Sequence, residues 1–248
     1  MMARPKLRVT SFYPRLMNLY GDRGNVMALQ ARAAARGIDV DVESVEIGDR
    51  WNANEIDIVL IGGGQDREQR RIQSDLHERG SALQDFRDGD GVILAVCGGY
   101  QLFGQSYRDN RGDVLEGAGV FDIVSLHPGP QIQRCVGNVV ALWEGDTLVG
   151  FENHGGRSYL NEGASPLAEV VTGFGNNGGD GWEGARVRNS FGTYLHGALL
   201  PKNPRFADRL LLLALQRRYG EYELAPLDDV TETRAHAETL HRSLRERG

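Results

Sequence analysis

Lysine and cysteine are both scarce in this sequence. Among 248 residues there are two cysteines, and only Lys6 and Lys202 of the 28 basic residues are lysines. Two thiols are too few for a disulfide scaffold or a four-thiolate metal site. Neither lysine follows a glycine-rich phosphate loop, which excludes a P-loop nucleotide enzyme, and no Schiff-base lysine is expected. If the pathway uses ATP, we expect another chain to bind it.

Excess basic charge and long apolar runs are also missing. The net charge is −6 and the isoelectric point is about 5.6, so there is no basic footprint for nucleic acid or an anionic membrane. No apolar run approaches the roughly 20 residues of a membrane-spanning helix, and the N-terminal MMARPKLRVT has no apolar signal core. We therefore predict a cytoplasmic protein. Glycine, in contrast, is abundant: the 33 glycines follow no fixed period and indicate many tight turns.

Strand-like and helix-like segments alternate over the first two-thirds of the chain. The runs IDIVLI at 56–61 and GVILAV at 91–96 are continuously apolar, which is typical of strands buried on both faces of a parallel sheet. The pattern predicts an α/β fold with an open, mostly parallel sheet flanked by helices. The remaining predicted elements of this part are strands at 7–12 and 38–47 and helices at 25–36 and 66–78, the latter ending at Gly80.

Short β-like stretches separated by glycine follow, and we expect them to add antiparallel strands to one edge of the sheet. They lie at 119–124, 136–143, 148–152, 167–173 and 184–187. An amphipathic helix is predicted at 204–219. No repeat or long linker divides the chain, so we predict one domain over 1–220 and a charged, helical C-terminal extension over 221–248.

The strongest local signal is the segment AVCGGYQL at 95–102. A buried strand leads into Cys97, then into two glycines and a helix start. Such a sharp strand-to-helix turn exposes a nucleophile above the sheet and presents backbone N–H groups to an oxyanion. We expect the helix N-terminus to lower the thiol pKa and favour the thiolate. Cys135 has no such turn and is predicted to be a small packing residue.

A cysteine nucleophile needs a base, most often histidine. His196 follows the strand-like run FGTYL, which places it at the carboxyl end of a strand, on the same rim as Cys97. His154 is the competing candidate, and it lies on a loop, as does His127. The other three histidines, His77, His236 and His241, lie in polar or charged segments and are predicted to be solvated.

A second glycine cluster, IGGGQD at 61–66, also follows a buried strand. Its backbone N–H groups could face the same rim and supply the other half of an oxyanion hole. It lacks the GxGxxG spacing of a dinucleotide loop, and a simple turn remains the alternative.

Together these motifs resemble the class I glutamine amidotransferases of the cobyric acid synthase branch. The resemblance rests on AVCGGYQLFG, GTYLHG, IGGGQD, the N-terminal YPRLMNLYGDRGN and ENHGGR, and it runs from about residue 7 to residue 213. The last two motifs are similar to those of the glutaminase subunits of lipid II isoglutaminyl synthases. The resemblance implies a single-domain class I glutamine amidotransferase-like fold.

The resemblance also implies residue roles. Cys97 would attack the side-chain amide of L-glutamine, form a glutamyl thioester and release ammonia, while His196 would move the protons. Backbone N–H groups of Gly64 and Gly98 would hold the oxyanion. Arg134, in QRCVGN, would bind the glutamine α-carboxylate, a contact for which the arginine fork is suited.

Further implications concern the partner. Ammonia would pass to a MurT-like Mur ligase subunit in a heterodimer, and that subunit would use ATP and Mg to convert the D-glutamate of the lipid II stem peptide to D-isoglutamine. We predict no cofactor and no metal in this chain, and a cytoplasmic location that extends to the inner face of the membrane through lipid II.

One position departs from the family pattern. Many class I amidotransferases carry a glutamate two residues after the histidine, and here that residue is Ala198. The orienting carboxylate would then come from Asp22, from Glu152 or, as we hypothesise, from the partner subunit. Two alternatives stay open: a corrinoid amidotransferase or γ-glutamyl hydrolase, and a non-catalytic regulatory subunit that binds an amino acid.

Overall fold

The computed structural model describes residues 4–245, which form fourteen strands and seven α-helices. The strands are β1 Lys6–Phe12, β2 Asp39–Val45, β3 Ile58–Ile61, β4 Val92–Val96, β5 Ser106–Arg108, β6 Val114–Glu116, β7 Ile123–Leu126, β8 Cys135–Trp143, β9 Asp146–His154, β10 Arg157–Leu160, β11 Ala168–Thr172, β12 Trp182–Glu183, β13 Ala185–Val187 and β14 Ser190–Thr193. The helices are α1 Arg23–Ala34, α2 Asp66–Glu78, α3 Gly80–Asp88, α4 Gly98–Leu102, α5 Leu199–Lys202, α6 Pro204–Tyr219 and α7 Val230–Arg245. A single 3₁₀ turn at Ala53–Glu55 precedes β3.

The central sheet has six strands in the order β13-β14-β4-β3-β1-β2. Its five neighbouring pairs are parallel except for β13 with β14, which is antiparallel at the edge. Every residue of β3, β4 and β14 is buried, so both faces of the sheet centre are covered. The predicted fold class, a mostly parallel sheet with helices and an antiparallel edge, is confirmed.

The sheet register brings three loops to one rim. Ile61 at the end of β3 pairs with Ala95, and Val96 at the end of β4 pairs with Thr193 at the end of β14. Because these strands are parallel, the segments that follow them all leave the same edge of the sheet. Those segments carry the glycine cluster, Cys97 and His196.

The prediction that all the glycine-separated stretches extend the central sheet was wrong. Only β13, the observed form of 184–187, does so. The others pair among themselves, in a mixed sheet of order β10-β7-β5-β6 and an antiparallel sheet of order β12-β11-β8-β9. An alternating sequence pattern shows which residues face a core, but it does not show which strand pairs with the segment.

Most helices lie where the sequence predicts them, including α2 and α6 at their predicted bounds. Gly80 is an exception, because it begins a further helix, α3, instead of ending the ordered segment. A methyl group added to Gly80 would lie 3.0 Å from the carbonyl oxygen of Ala118. The glycine therefore allows close packing against the chain before β7.

Within the C-terminal segment that the structure describes, α7 packs against α5, β8 and β9. Asp229, just before α7, accepts a 2.7 Å hydrogen bond from Arg32 of α1. His236 was predicted to be solvated, but its ring nitrogens bond Thr147 and the carbonyl of Lys202, both at 2.8 Å. Residues 246–248 of the predicted extension lie outside the described residues. No helix in the described range 4–245 is long and apolar enough to cross a membrane.

Candidate active site

The Cys97 backbone adopts the strained conformation that the strand-to-helix turn requires. It has φ 51° and ψ −108°, directly between β4 and α4. A positive φ in a residue with a side chain is uncommon and is concentrated at functional sites. Cys97 is 5% exposed, so the turn places it inside the molecule.

The two glycine segments of the rim are in direct contact. Gly99 N–H donates to the carbonyl of Gly62 at 3.2 Å, which ties the Cys97 turn to the glycine cluster. A methyl group on Gly98 would lie 2.5 Å from the oxygen and 2.9 Å from the nitrogen of Gly64. The predicted oxyanion donors, Gly64 and Gly98, are therefore neighbours, as a shared oxyanion site needs.

His196 meets Cys97 around the Cα atom of Gly63. A methyl group placed on Gly63 would lie 2.9 Å from His196 Cε1, 3.4 Å from Cys97 Cβ and 3.3 Å from Asp22 Oδ2. The His196 side chain is fully buried, and neither ring nitrogen has a hydrogen-bond partner among residues 4–245. Burial lowers the His196 pKa to about 3, with contributions from His154 and Arg134. The ring is therefore neutral and its nitrogens are free to exchange a proton.

The expected stabilisation of the thiolate is not present in this structure. Burial raises the pKa of the Cys97 thiol well above its ordinary value, and the nearby Asp22 charge raises it further. The N–H of Gly98 and the charge of Arg134 act in the opposite direction but are weaker. The prediction of a lowered thiol pKa was wrong, because a five-residue helix N-terminus does not offset full desolvation.

His154, the competing base, is already engaged on both sides. Its Nδ1 lies 2.7 Å from the carbonyl of Gly156, which only accepts, so Nδ1 carries the hydrogen. Its Nε2 lies 3.2 Å from Glu152 Oε2, and the ring stacks on Tyr194 at 3.6 Å. Burial lowers the His154 pKa to about 3 and raises the Glu152 pKa to about 7. A neutral His154 whose Nε2 accepts a hydrogen bond from the protonated Glu152 carboxyl satisfies all these contacts.

Asp22 is hydrogen-bonded to the backbone of the glycine cluster. Its Oδ2 accepts the N–H of Gly63 at 2.6 Å, and its Oδ1 is buried with no hydrogen-bond partner among residues 4–245. Burial raises the Asp22 pKa to about 7, although the Gly63 N–H lowers it in part. Of the two carboxylates considered for orienting His196, Asp22 lies beside the ring without bonding it, and Glu152 bonds His154 instead.

A cavity of about 470 Å³ opens over the thiol and is lined by Cys97, Gly64, Arg134, Tyr20, Asn153 and His154, among others. Arg134 Nε and Nη2 donate to the side-chain and backbone oxygens of Asn153, both at 2.9 Å. Tyr20 packs edge-on over His196 at 5.1 Å between ring centroids. The structure thus brings Cys97, Gly64 and Arg134 to one cavity, while His196 lies behind Tyr20.

Several polar side chains around the site were not predicted from the sequence. Gln69 Nε2 donates to Gly64 O at 3.1 Å and to Gln101 Oε1 at 3.0 Å, so it links the glycine cluster to α4. Glu183 is fully buried, accepts from Thr193 and Tyr194, and has its pKa raised to about 8 by burial. Only Gln101 had a local signal, since it lies one helical turn after Cys97.

Comparison with known proteins decides the family. A model of the CobB/CobQ-like glutamine amidotransferase domain matches residues 8–204. The chain belongs to the CobB/CobQ-like glutamine amidotransferases. It is 39% identical over 228 residues to the lipid II isoglutaminyl synthase (glutamine-hydrolyzing) subunit GatD of Streptococcus pneumoniae, covering 91% of this chain and 87% of that one. The GatD subunit of Staphylococcus aureus is 37% identical over 245 residues, with 98% of each chain covered.

The fold of this glutamine amidotransferase is shared with more distant solved structures. A glutamine amidotransferase from Thermotoga maritima superposes with a TM-score of 0.53 at 16% identity, covering 97% of each chain. Because the identity is low, this likeness supports the fold alone. In this amidotransferase Cys97, a neutral imidazole and two neighbouring glycine segments lie at one rim of the sheet. Acyl transfer through a cysteine uses a thiol, an imidazole and backbone amide donors.

Proposed function

We propose that this chain is the glutaminase subunit of a lipid II isoglutaminyl synthase. The observation that carries the proposal is the likeness to two GatD subunits over nearly the whole length of each chain. The site supports it, because one rim of the sheet carries Cys97, His196 and the neighbouring glycines Gly64 and Gly98. The activity would belong to peptidoglycan biosynthesis.

The chemistry proceeds in two halves at Cys97. The sulfur attacks Cδ of L-glutamine as His196 takes the thiol proton, and the negative oxygen binds the N–H groups of Gly64 and Gly98. His196 then donates that proton to the departing nitrogen, so ammonia leaves and a glutamyl thioester remains. Water attacks the thioester, His196 accepts a water proton and returns it to sulfur, and glutamate is released.

Arg134 holds the substrate through its α-carboxylate in this scheme. It lines the cavity that contains Cys97, and its guanidinium is already fixed by Asn153. A guanidinium pairs with a carboxylate through two parallel hydrogen bonds, which sets the orientation of the bound amino acid as well as its affinity.

The partner subunit completes the site in this proposal. Ala198 occupies the position of the usual glutamate, and no residue between 4 and 245 bonds the His196 ring nitrogens. A carboxylate from a MurT-like partner would orient the ring and stabilise its protonated form, as a carboxylate does for histidine in catalytic triads. Glutamine hydrolysis would then depend on complex formation.

The same partner would receive the ammonia. We propose that it binds ATP and Mg, activates the D-glutamate α-carboxyl of the lipid II stem peptide and forms D-isoglutamine. This chain would need no cofactor of its own. The heterodimer would work in the cytoplasm, at the inner face of the membrane where lipid II is presented.

Ammonia release from L-glutamine tests the proposal. We would compare the chain alone with the chain plus its MurT-like partner, for wild type, Cys97→Ser and the matched control Cys135→Ser. We expect release that rises with the partner, survives in Cys135→Ser and is lost in Cys97→Ser. No release by any wild-type combination that still binds glutamine would contradict a glutaminase and favour a regulatory amino-acid-binding subunit.

A further inference from the structure

Asn153 makes hydrogen bonds to two different parts of the cavity wall. Its Oδ1 accepts from Arg134 Nε at 2.9 Å, and its backbone oxygen accepts from Arg134 Nη2 at 2.9 Å. Its Nδ2 donates to the phenol oxygen of Tyr20 at 2.6 Å. Because a guanidinium only donates, the bond to Nε fixes the amide orientation and leaves Nδ2 for the phenol.

Tyr20 belongs to a segment that is held over the catalytic groups. Its ring lies edge-on to His196 at 5.1 Å and to Phe151 at 6.1 Å. Its backbone has φ 60°, a left-handed conformation that residues with a side chain rarely adopt. Leu19 N–H bonds Gly63 O at 3.0 Å, so this segment is also tied to the glycine cluster.

We infer that Asn153 is a positioning residue that couples the carboxylate-binding arginine to the cover over the catalytic histidine. Two of its bonds fix the Arg134 guanidinium for the glutamine α-carboxylate, and the third keeps the Tyr20 ring against His196. A glutamine that seats on Arg134 therefore stabilises the arrangement in which His196 is covered. This inference rests on the proposed function, since it needs Arg134 to bind glutamine.

The test uses the complex with the MurT-like partner and measures KM and kcat for ammonia release from L-glutamine. In Asn153→Ala we expect KM to rise about 10-fold, the loss typical of bonds to a charged group, and kcat to fall several-fold. In Tyr20→Phe the ring remains but the bond to Asn153 is lost. We expect KM to rise about threefold, although Tyr20 does not bond Arg134.

Double variants separate positioning from general destabilisation. Tyr20→Phe should cause no further rise in KM when it is added to Asn153→Ala, because its effect passes through Asn153. Asn153→Ala should raise KM by less than about twofold when it is added to Arg134→Ala, because its effect on KM passes through Arg134. Asn54→Ala, an exposed asparagine before β3 at the opposite end of the sheet, is the matched control and should match wild type. A merely structural Asn153 would give additive losses and a lower melting temperature.

Glutamine binding to the same complexes in a Cys97→Ser background is measured by calorimetry. This measurement distinguishes failure of the proposed function from failure of the positioning inference. If wild type releases no ammonia, the proposed function fails, and a raised dissociation constant in Asn153→Ala still supports the positioning role. An unchanged dissociation constant in Asn153→Ala, or KM effects that multiply in the double variants, would overturn the inference.

Discussion

Replacing Gly98 by alanine should separate the two halves of the proposed oxyanion site. The new methyl group would lie 2.5 Å from the Gly64 oxygen, 2.9 Å from the Gly64 nitrogen and 2.9 Å from Gln69 Nε2. Ordinary carbon–oxygen contacts are about 3.3 Å or longer, so the Gly64 backbone must move by roughly 0.8 Å. Neither of the Gly64 atoms is the flexible end of a side chain, so the backbone itself must yield.

Gly98→Ala should impair catalysis strongly and also lower stability. A displacement approaching 1 Å costs about 100-fold, and loss of one oxyanion donor costs about 100- to 1,000-fold in kcat. We therefore expect kcat/KM of the Gly98→Ala complex to fall by about 100- to 1,000-fold. Overpacking typically costs about 1–3 kcal/mol, which corresponds to a melting temperature lower by roughly 2–12 °C.

The assay is steady-state ammonia release by the complex, with thermal unfolding measured on the same preparation. Gly137→Ala is the matched control, because a methyl group there meets nothing within 4 Å. The control should keep activity within about twofold. A folded Gly98→Ala complex that kept activity within a few-fold of wild type would refute the assignment of Gly98 and Gly64 to the oxyanion site.

Two further predictions follow from the buried titratable groups. Because burial raises the Cys97 pKa, iodoacetamide at pH 7 should modify both cysteines of the isolated chain slowly, and the partner should accelerate modification of Cys97 alone. Peptide mass spectrometry measures the modification at each cysteine. Fast modification of Cys97 in the isolated chain would contradict this prediction. Glu183 has a folded-state pKa of about 8 against an ordinary 4.5, so its stabilising contribution is present below pH 4.5 and lost as the pH rises through 8. Glu183→Gln imitates the protonated acid. Its melting temperature should therefore rise relative to that of wild type as the pH increases from 6 to 9, and the difference should reach about 2–10 °C at pH 9. A constant difference across that range would contradict the buried charge.

The sheet centre and the position of Cys97 and His196 on one rim could be predicted because local pattern decides them. The apolar runs of β3 and β4 specify strands buried on both faces, and parallel order then sends their following loops to one rim. Cys97 and His196 were placed on that rim from this argument alone. The contact between Gly64 and Gly98 agrees with the roles implied by the family resemblance, and the roles themselves await the variants above.

What could not be predicted depends on long-range pairing and burial. The partners of strands β5–β12 are set by tertiary register, so the sequence does not predict the two smaller sheets. The thiol pKa was predicted in the wrong direction because the sequence shows the helix start but not the desolvation around Cys97. Asn153 lies in a recognised motif, yet its bonds to Arg134 and Tyr20 join segments up to 133 residues apart.

Transfer of labelled nitrogen tests the central claim most directly. The complex would be given L-glutamine labelled with ¹⁵N in the side-chain amide, ATP, Mg and lipid II, and the stem peptide would be analysed by mass spectrometry. We predict ¹⁵N in the α-carboxamide of D-isoglutamine with wild type. With Cys97→Ser we predict amidation only when free ammonia is supplied. Label transfer that persists in Cys97→Ser, or wild-type amidation that takes nitrogen only from free ammonia, would contradict a coupled glutaminase.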